Sequence, residues 1–109
     1  MIADGAGGVF DALADANRRE LVVRLAARDT ATATELASEL PLTRQGVAKH
    51  LAALRDAGLV APERRGRETR YRLTPAPLGD AMSWMASVGA RWDDRLAALQ
   101  RHLGAGSGR

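Results

Sequence analysis

The chain of 109 residues contains no cysteine. That absence excludes disulfides, thiolate metal sites and cysteine nucleophiles together, and it suits a reducing cytoplasm. No stretch approaches the roughly 20 consecutive apolar residues of a membrane-spanning helix. The first residues lack the basic-then-apolar order of a secretory leader. Histidine is limited to His50 and His102, whereas a transition-metal site wants a convergent set of His or Cys ligands. No nucleophile–base spacing surrounds the serines, the histidines or Asp93-Asp94. Gly5-Ala6-Gly7-Gly8 has no strand before it and no Gly-Lys after it, so it does not read as a phosphate loop. The expectation is a cytoplasmic, single-domain, non-enzymatic chain with no cofactor and no bound metal.

Charge is present but unevenly placed. Residues 41–73 hold eight basic residues (Arg44, Lys49, Arg55, Arg64, Arg65, Arg67, Arg70, Arg72) against three acids (Asp56, Glu63, Glu68), a net +5 that leaves −2 on the remainder. A basic middle on a slightly acidic chain is the footprint of a face that docks an acidic polymer. A membrane surface selects a basic amphipathic helix. Here the basic residues fall mostly in a strand-like stretch, so double-stranded DNA is the expected partner and no membrane is.

Residues 43–58 organise the rest. Thr43 suits an N-cap, and Gly58 suits a helix end, since glycine closes in the left-handed conformation without a Cβ clash. Val47, Leu51 and Leu54 recur at helical spacing and define an inward face. Arg44, Gln45, Ala48, Lys49 and Ala52 fall on the other side. A short helix with an apolar back and Arg, Gln and Lys at its front suits the reading of base edges in a major groove. A surface helix with a solvated polar face is the alternative.

In chain order, residues 1–7 read as a loose lead-in, and Val9, Phe10 and Leu13 as a short helix ending near Asp15. Asp15 caps a second helix, residues 16 to about 28, with Leu21, Val22 and Leu25 inward. Thr32-Ala33-Thr34-Glu35 is a capping-box pattern that opens a third helix, carrying Leu36, Ala37 and Leu40 and stopped by Pro41. A three-residue turn then leads to the helix of residues 43–58, completing a helix-turn-helix pattern. From Leu59 the period becomes two. Leu59-Val60-Ala61, a turn at residues 64–68, and Thr69 to Leu73 predict a two-stranded hairpin. Tyr71 and Leu73 lie on one side of it, Arg70 and Arg72 on the other. Thr74 caps a last helix, with Pro75 in first position, running to about Leu103. Leu78, Met82, Met85, Val88, Trp92, Leu96, Leu99 and Leu103 recur along it at spacings of three and four. At about 1.5 Å per residue this helix spans roughly 40 Å, more than so small a body covers. Its stripe predicts a seam with a second copy, the alternative being packing on its own domain. Residues 104–109 read as a flexible tail. The expected fold is therefore mainly α: a winged helix-turn-helix domain over residues 8–103, of about five helices and a two-stranded β-hairpin wing, dimeric.

Several ordered motifs resemble the ArsR family of bacterial winged-helix regulators. Val9-Phe10-Asp11-Ala12-Leu13-Ala14-Asp15-Ala16-Asn17-Arg18-Arg19-Glu20-Leu21 is similar to its F-x-A-L-A-D-P-T-R-R-x-I/L opening. Thr43-Arg44-Gln45-Gly46-Val47-Ala48-Lys49-His50-Leu51 resembles its S-Q-x-x-V/A-S-K-H-L segment. Leu54-Arg55-Asp56-Ala57-Gly58-Leu59-Val60 resembles L-R-x-A-G-L-V, and residues 66–73 resemble G-R-x-x-x-Y-x-L. The resemblance covers about residues 9–103. It implies a homodimeric transcription regulator, usually a repressor, that binds an inverted-repeat operator. It also implies that the first and last helices form the dimer interface, here Phe10 and Leu13 with Met85, Val88, Trp92, Leu96 and Leu99. The family's Cys-x-Cys metal site falls on Thr32 and Thr34. Its last-helix Asp-x-His pattern is missing beside Asp93, Asp94 and His102. The chain therefore resembles the metal-independent branch, and no small-molecule effector is legible.

The expected DNA-binding residues are Thr43, Arg44, Gln45, Ala48, Lys49 and His50 on the recognition helix, and Arg64, Arg65, Arg67 and Arg70 on the wing. Arg44 and Gln45 suit guanine and adenine edges respectively, with phosphate contact or solvent as the alternative. Thr43 can donate to a phosphate as well as cap, and Ala48 can meet a thymine methyl. Lys49 faces a phosphate or a base. His50 is a structural or phosphate-facing residue, with a ligand or a pH switch as the alternative. Trp84 and Trp92 belong to a core or a dimer seam, or else line a ligand pocket. Two further functional readings stay open: a module whose long helix binds another protein, and a sensor released from DNA by a ligand or metal.

Overall fold

Four side-chain-capped or glycine-closed helix ends set the local order of this chain. The computed structural model describes residues 4–106. Its elements are α1 (Asp4–Ala12), α2 (Ala16–Ala26), β1 (Ala31–Thr32), α3 (Ala33–Glu39), α4 (Arg44–Asp56), β2 (Val60–Arg65), β3 (Glu68–Leu73) and α5 (Ala76–Gly106). The Asp15 carboxylate accepts the N–H groups of Asn17 (2.7 Å) and Arg18 (3.2 Å) and starts α2. Thr32 and Glu35 close the expected capping box, the Thr32 hydroxyl accepting the Glu35 N–H (3.0 Å) and the Glu35 carboxylate the Thr32 N–H (2.9 Å). The Thr43 hydroxyl accepts the Gly46 N–H at 3.0 Å and starts α4. At the far end of α4, Gly58 adopts φ +78°. The Gly58 and Leu59 N–H groups then reach back to the carbonyls of Arg55 (2.8 Å) and Leu54 (2.9 Å). That pair of bonds is a Schellman closure, and it turns the chain straight into β2.

The apolar faces meet in one core. Leu21 and Leu25 of α2, Leu36 of α3, and Val47, Leu51 and Leu54 of α4 are buried in it. Val9 and Ala12 of α1, Ala31 of β1, Leu59 and Val60 at the root of the hairpin, and Ala81 of α5 complete it. β2 and β3 join through a two-residue loop, with Arg65 opposite Glu68. Gly66 opens that loop at φ +62°, the requirement of a type II′ turn, whose twist matches that of the strands. Pro62 sits in β2, an edge strand of the sheet order β1-β3-β2, where a missing N–H is tolerated.

The structure corrects four expectations. The sheet has three strands, because Ala31 and Thr32 pair with Tyr71 and Arg70. Two residues are too few to show an alternating pattern in sequence. The first helix begins at Asp4 and takes in residues 4–7, read above as loose, despite glycines that weaken isolated helices. It packs along α5. The last helix continues to Gly106, past Leu103. The rest of the expected lead-in and tail, residues 1–3 and 107–109, lies outside the described residues. Thr74 does not cap α5. Its hydroxyl donates to the Gly58 carbonyl, tying the hairpin's exit to the end of α4. The first turn of α5 instead closes when the Gly79 N–H reaches the Pro75 carbonyl at 3.0 Å.

Two helices are also joined by charge. The Glu39 carboxylate at the end of α3 accepts from Arg28 (2.6 and 2.9 Å) and from Arg24 (3.0 Å) of α2 and its flank. Hydrogen bonding by Arg28 is the main cause that lowers the Glu39 pKa from 4.5 to about 2. The folded carboxyl thus loses its proton more readily than the unfolded one. Its stabilisation is complete above about pH 4.5 and fades as the pH falls toward 2. Glu39→Gln should therefore lower the Tm at neutral pH, and the deficit should shrink to nothing in acid. Thermal denaturation followed by circular dichroism across that range checks this, and a deficit as large at pH 2 as at pH 7 contradicts it.

Candidate nucleic-acid interface

The burial of Val47, Leu51 and Leu54 fixes the rotation of α4, and with it the residues that face outward. Thr43, Arg44, Gln45, Ala48 and Lys49 are exposed, and His50 is half-buried on the flank. Across from them stands the hairpin. Between the two runs a groove of about 590 Å³. Arg44, Gln45 and Ala48 line one wall, Arg64, Arg67, Thr69 and Tyr71 line the other, and residues 32–35 at the start of α3 close the end. An amphipathic helix and an arginine-bearing hairpin thus face one concave surface. The dimensions of such a helix suit the major groove of DNA.

The wing arginines differ in their freedom. The Arg64 Nε–H donates to the Gly66 carbonyl at 3.0 Å, holding its guanidinium at the tip. Arg65 pairs with Glu63 at 3.3 Å on the exposed outer side. Arg67 occupies the turn, exposed. Arg70 departs from expectation. Strand alternation puts it on the sheet face opposite Arg64, Thr69 and Tyr71. There its side chain, 18% exposed, is bound by Glu35 (3.0 Å) and Glu68 (3.2 Å). It is committed within the fold and is not a free cation at the groove.

Of the recognition-helix residues, the groove gathers Arg44, Gln45 and Ala48. Thr43, Lys49 and His50 lie outside its lining. Lys49 is exposed. The Asp15 carboxyl that caps α2 is held below its ordinary pKa, chiefly by the Arg18 N–H. Sequence reasoning missed the groove residues Thr34, Thr69 and Tyr71 and the acids Glu35 and Glu68. Tyr71 was legible only as an apolar-side residue of its strand. The acids were legible only as a helix cap and a turn residue.

On α5 the expected stripe is open beyond Leu78, which packs against the core. Met82, Met85, Val88, Trp92, Leu96, Leu99 and Leu103 are all exposed, Trp92 by 57%. Phe10 and Leu13 behave differently, being half-buried and packed against the core. The Phe10 ring meets Trp84 edge-on, with centroids 5.5 Å apart at 63°. Trp84 therefore joins α1 to α5 within the chain, while Trp92 faces outward.

No group of three or more His, Cys, Asp or Glu side chains among the described residues is placed to hold a metal ion. Thr32 is buried and its hydroxyl is spent on capping α3, and Thr34 offers a hydroxyl where a thiolate would be required. Thr32 and Thr34 do not fit the family's metal pair. No described helix is long and apolar enough to cross a membrane.

Comparison with known proteins bears on the same residues. A helix-turn-helix domain family matches residues 13–63, which run from the entry to α2 into β2. The arsenical resistance operon repressor of Escherichia coli K12 is 31% identical over 99 residues, covering 87% of this chain and 81% of that protein. An ArsR-like transcriptional regulator from Rhodococcus sp. RHA1 superposes with a TM-score of 0.77 at 41% identity, covering 89% of this chain and 91% of that one.

The chain belongs to the ArsR family.

It is a DNA-binding transcriptional repressor with a winged helix-turn-helix fold. The ArsR-family relatives are regulators and not enzymes. Another solved relative, the cadmium metal-sensor from Mycobacterium tuberculosis, has a TM-score of 0.54 at 39% identity, covering 62% of this chain and 68% of that one.

Proposed function

We propose that two copies of this chain, joined along α5, bind an inverted-repeat operator in the cytoplasm and block transcription there. The observation that carries this reading is the groove between α4 and the wing, where Arg44, Gln45 and Ala48 face Arg64 and Arg67. Arg44 and Gln45 read base edges from the front of α4, each worth roughly 1–3 kcal/mol of discrimination. Lys49, Thr43 and His50 sit beside them for phosphate contact, and Arg65 and Arg67 supply wing contacts to backbone or minor groove. Pairing is supported by the open stripe from Met85 to Leu99 on a helix of 31 residues, about 46 Å long. One chain leaves that stripe in water. A second copy buries it, and two-fold symmetry then matches a two-fold operator.

We also propose that the repressor is metal-independent. Its cysteine-free composition and the spent hydroxyl of Thr32 support this against the example of the cadmium sensor.

Arg67→Ala should weaken binding to every duplex alike and flatten the slope of log K against log salt by about one unit. Gln45→Ala should instead lower the preference for duplex from the gene's own upstream region over random duplex. Fluorescence anisotropy at several salt concentrations measures both, and equal losses on the two duplexes would remove Gln45 from base reading. Cadmium, zinc or arsenite added to the preformed complex should leave it intact. Release by any of them, seen in the same anisotropy signal, would overturn metal independence.

A further inference from the structure

The wing is tied to the body through few backbone bonds. β1 offers β3 only Ala31 and Thr32, and a two-stranded hairpin is marginal by itself. Arg70 reinforces that junction. Its Nε–H donates to the Thr30 hydroxyl at 2.7 Å, while its terminal nitrogens donate to Glu35 (3.0 Å), Glu68 (3.2 Å) and the Thr30 carbonyl (3.4 Å). The Glu35 oxygen it meets is the one that accepts the Thr32 N–H in the α3 capping box. One carboxylate oxygen therefore joins the start of the helix-turn-helix to the central strand of the wing. Thr32, the cap residue, is also the backbone partner of Arg70 in the sheet. A planar guanidinium holding several fixed acceptors sets orientation as well as distance.

We propose that Arg70 is a positioning residue: through Glu35 and Thr30 it locks the wing to the amino end of α3, and so holds Arg64 and Arg67 at a fixed reach from α4. It acts on DNA through the wing and touches no phosphate. The proposal rests on the wing contacts argued above. It adds a residue whose charge is spent inside the fold yet whose loss weakens binding.

The test uses the full chain and a random-sequence duplex, at a temperature where circular dichroism shows each variant folded. Arg70→Gln should weaken binding about tenfold, comparable to losing one charge-assisted hydrogen bond, with the salt slope unchanged. Arg70→Lys should fail to restore affinity, because an ammonium keeps the charge but not the fork. In a Glu35→Gln background the Arg70→Gln change should cost about twofold or less, since part of its partner set is already gone. Hydrogen exchange should quicken at residues 64–69 in Arg70→Gln while α4 stays protected. A slope lower by about one unit, with full affinity restored by Arg70→Lys, would make Arg70 a phosphate contact and overturn the proposal. Unchanged affinity together with unchanged exchange would overturn it too. Arg67→Ala runs alongside as the control. If that variant leaves the slope untouched, the wing contact fails, and the exchange result still decides the lock.

Discussion

The inner face of α4 is the constraint from which the interface follows. Val47, Leu51 and Leu54 have no exposed surface, and truncating such a side chain to alanine costs about 2–5 kcal/mol, a large share of a small domain's stability. Any rotation of α4 would bring Arg44 or Gln45 toward the core, where an unpaired polar group is penalised. The outward face is therefore dictated from within. The same core takes Leu59 and Val60, just past the glycine closure of α4. The root of the wing is thus seated on the layer that seats the recognition helix.

Net charge alone misdescribes the groove. The basic middle of the chain is partly consumed by the fold. Arg70 is held by Glu35 and Glu68 and Arg64 is turned to its own turn carbonyl, while Arg65 makes only an exposed pair with Glu63 that a phosphate can displace. These partnerships also neutralise acids that would otherwise face an approaching phosphate, since Glu35 and Glu68 line the groove. What is left without a side-chain partner among the described residues is a smaller set, Arg44, Lys49 and Arg67 with the outward Arg72, and Gln45 stands as a neutral reader on α4. The arrangement trades raw attraction for fixed geometry, which is what discrimination between sequences demands.

Elements whose cause is local were legible in the chain. The Thr32–Glu35 box, the Thr43 cap, the Gly58 closure and the inward faces of α2, α3 and α4 depend on residues within one or two turns, and they form where the pattern places them. What depended on distant partners was not legible. β1 exists only because β3 lies beside it. The partners of Arg70 come from Thr30 and Glu35, 40 and 35 residues away, so an arginine on a basic strand read as a DNA contact. Thr74 reads locally as a cap for the helix after it, whereas its hydroxyl serves the helix before the hairpin. The start of α1 was missed because Gly5 and Gly7 argue against a helix that packing on α5 stabilises. The family resemblance carried the functional reading further than periodicity could. Residues 32 and 34 carry hydroxyls, and that of Thr32 is spent on the α3 cap.

The proposed repressor presents the paired helices and wings of two copies to one duplex. Hydroxyl-radical footprinting upstream of the gene, with the mass of the complex measured by sedimentation, tests this most directly. That arrangement predicts two chains per site and two protected patches on one face of the duplex, about one helical turn apart or a multiple of it. A single chain on the DNA, or one continuous protection without two-fold symmetry, would contradict it.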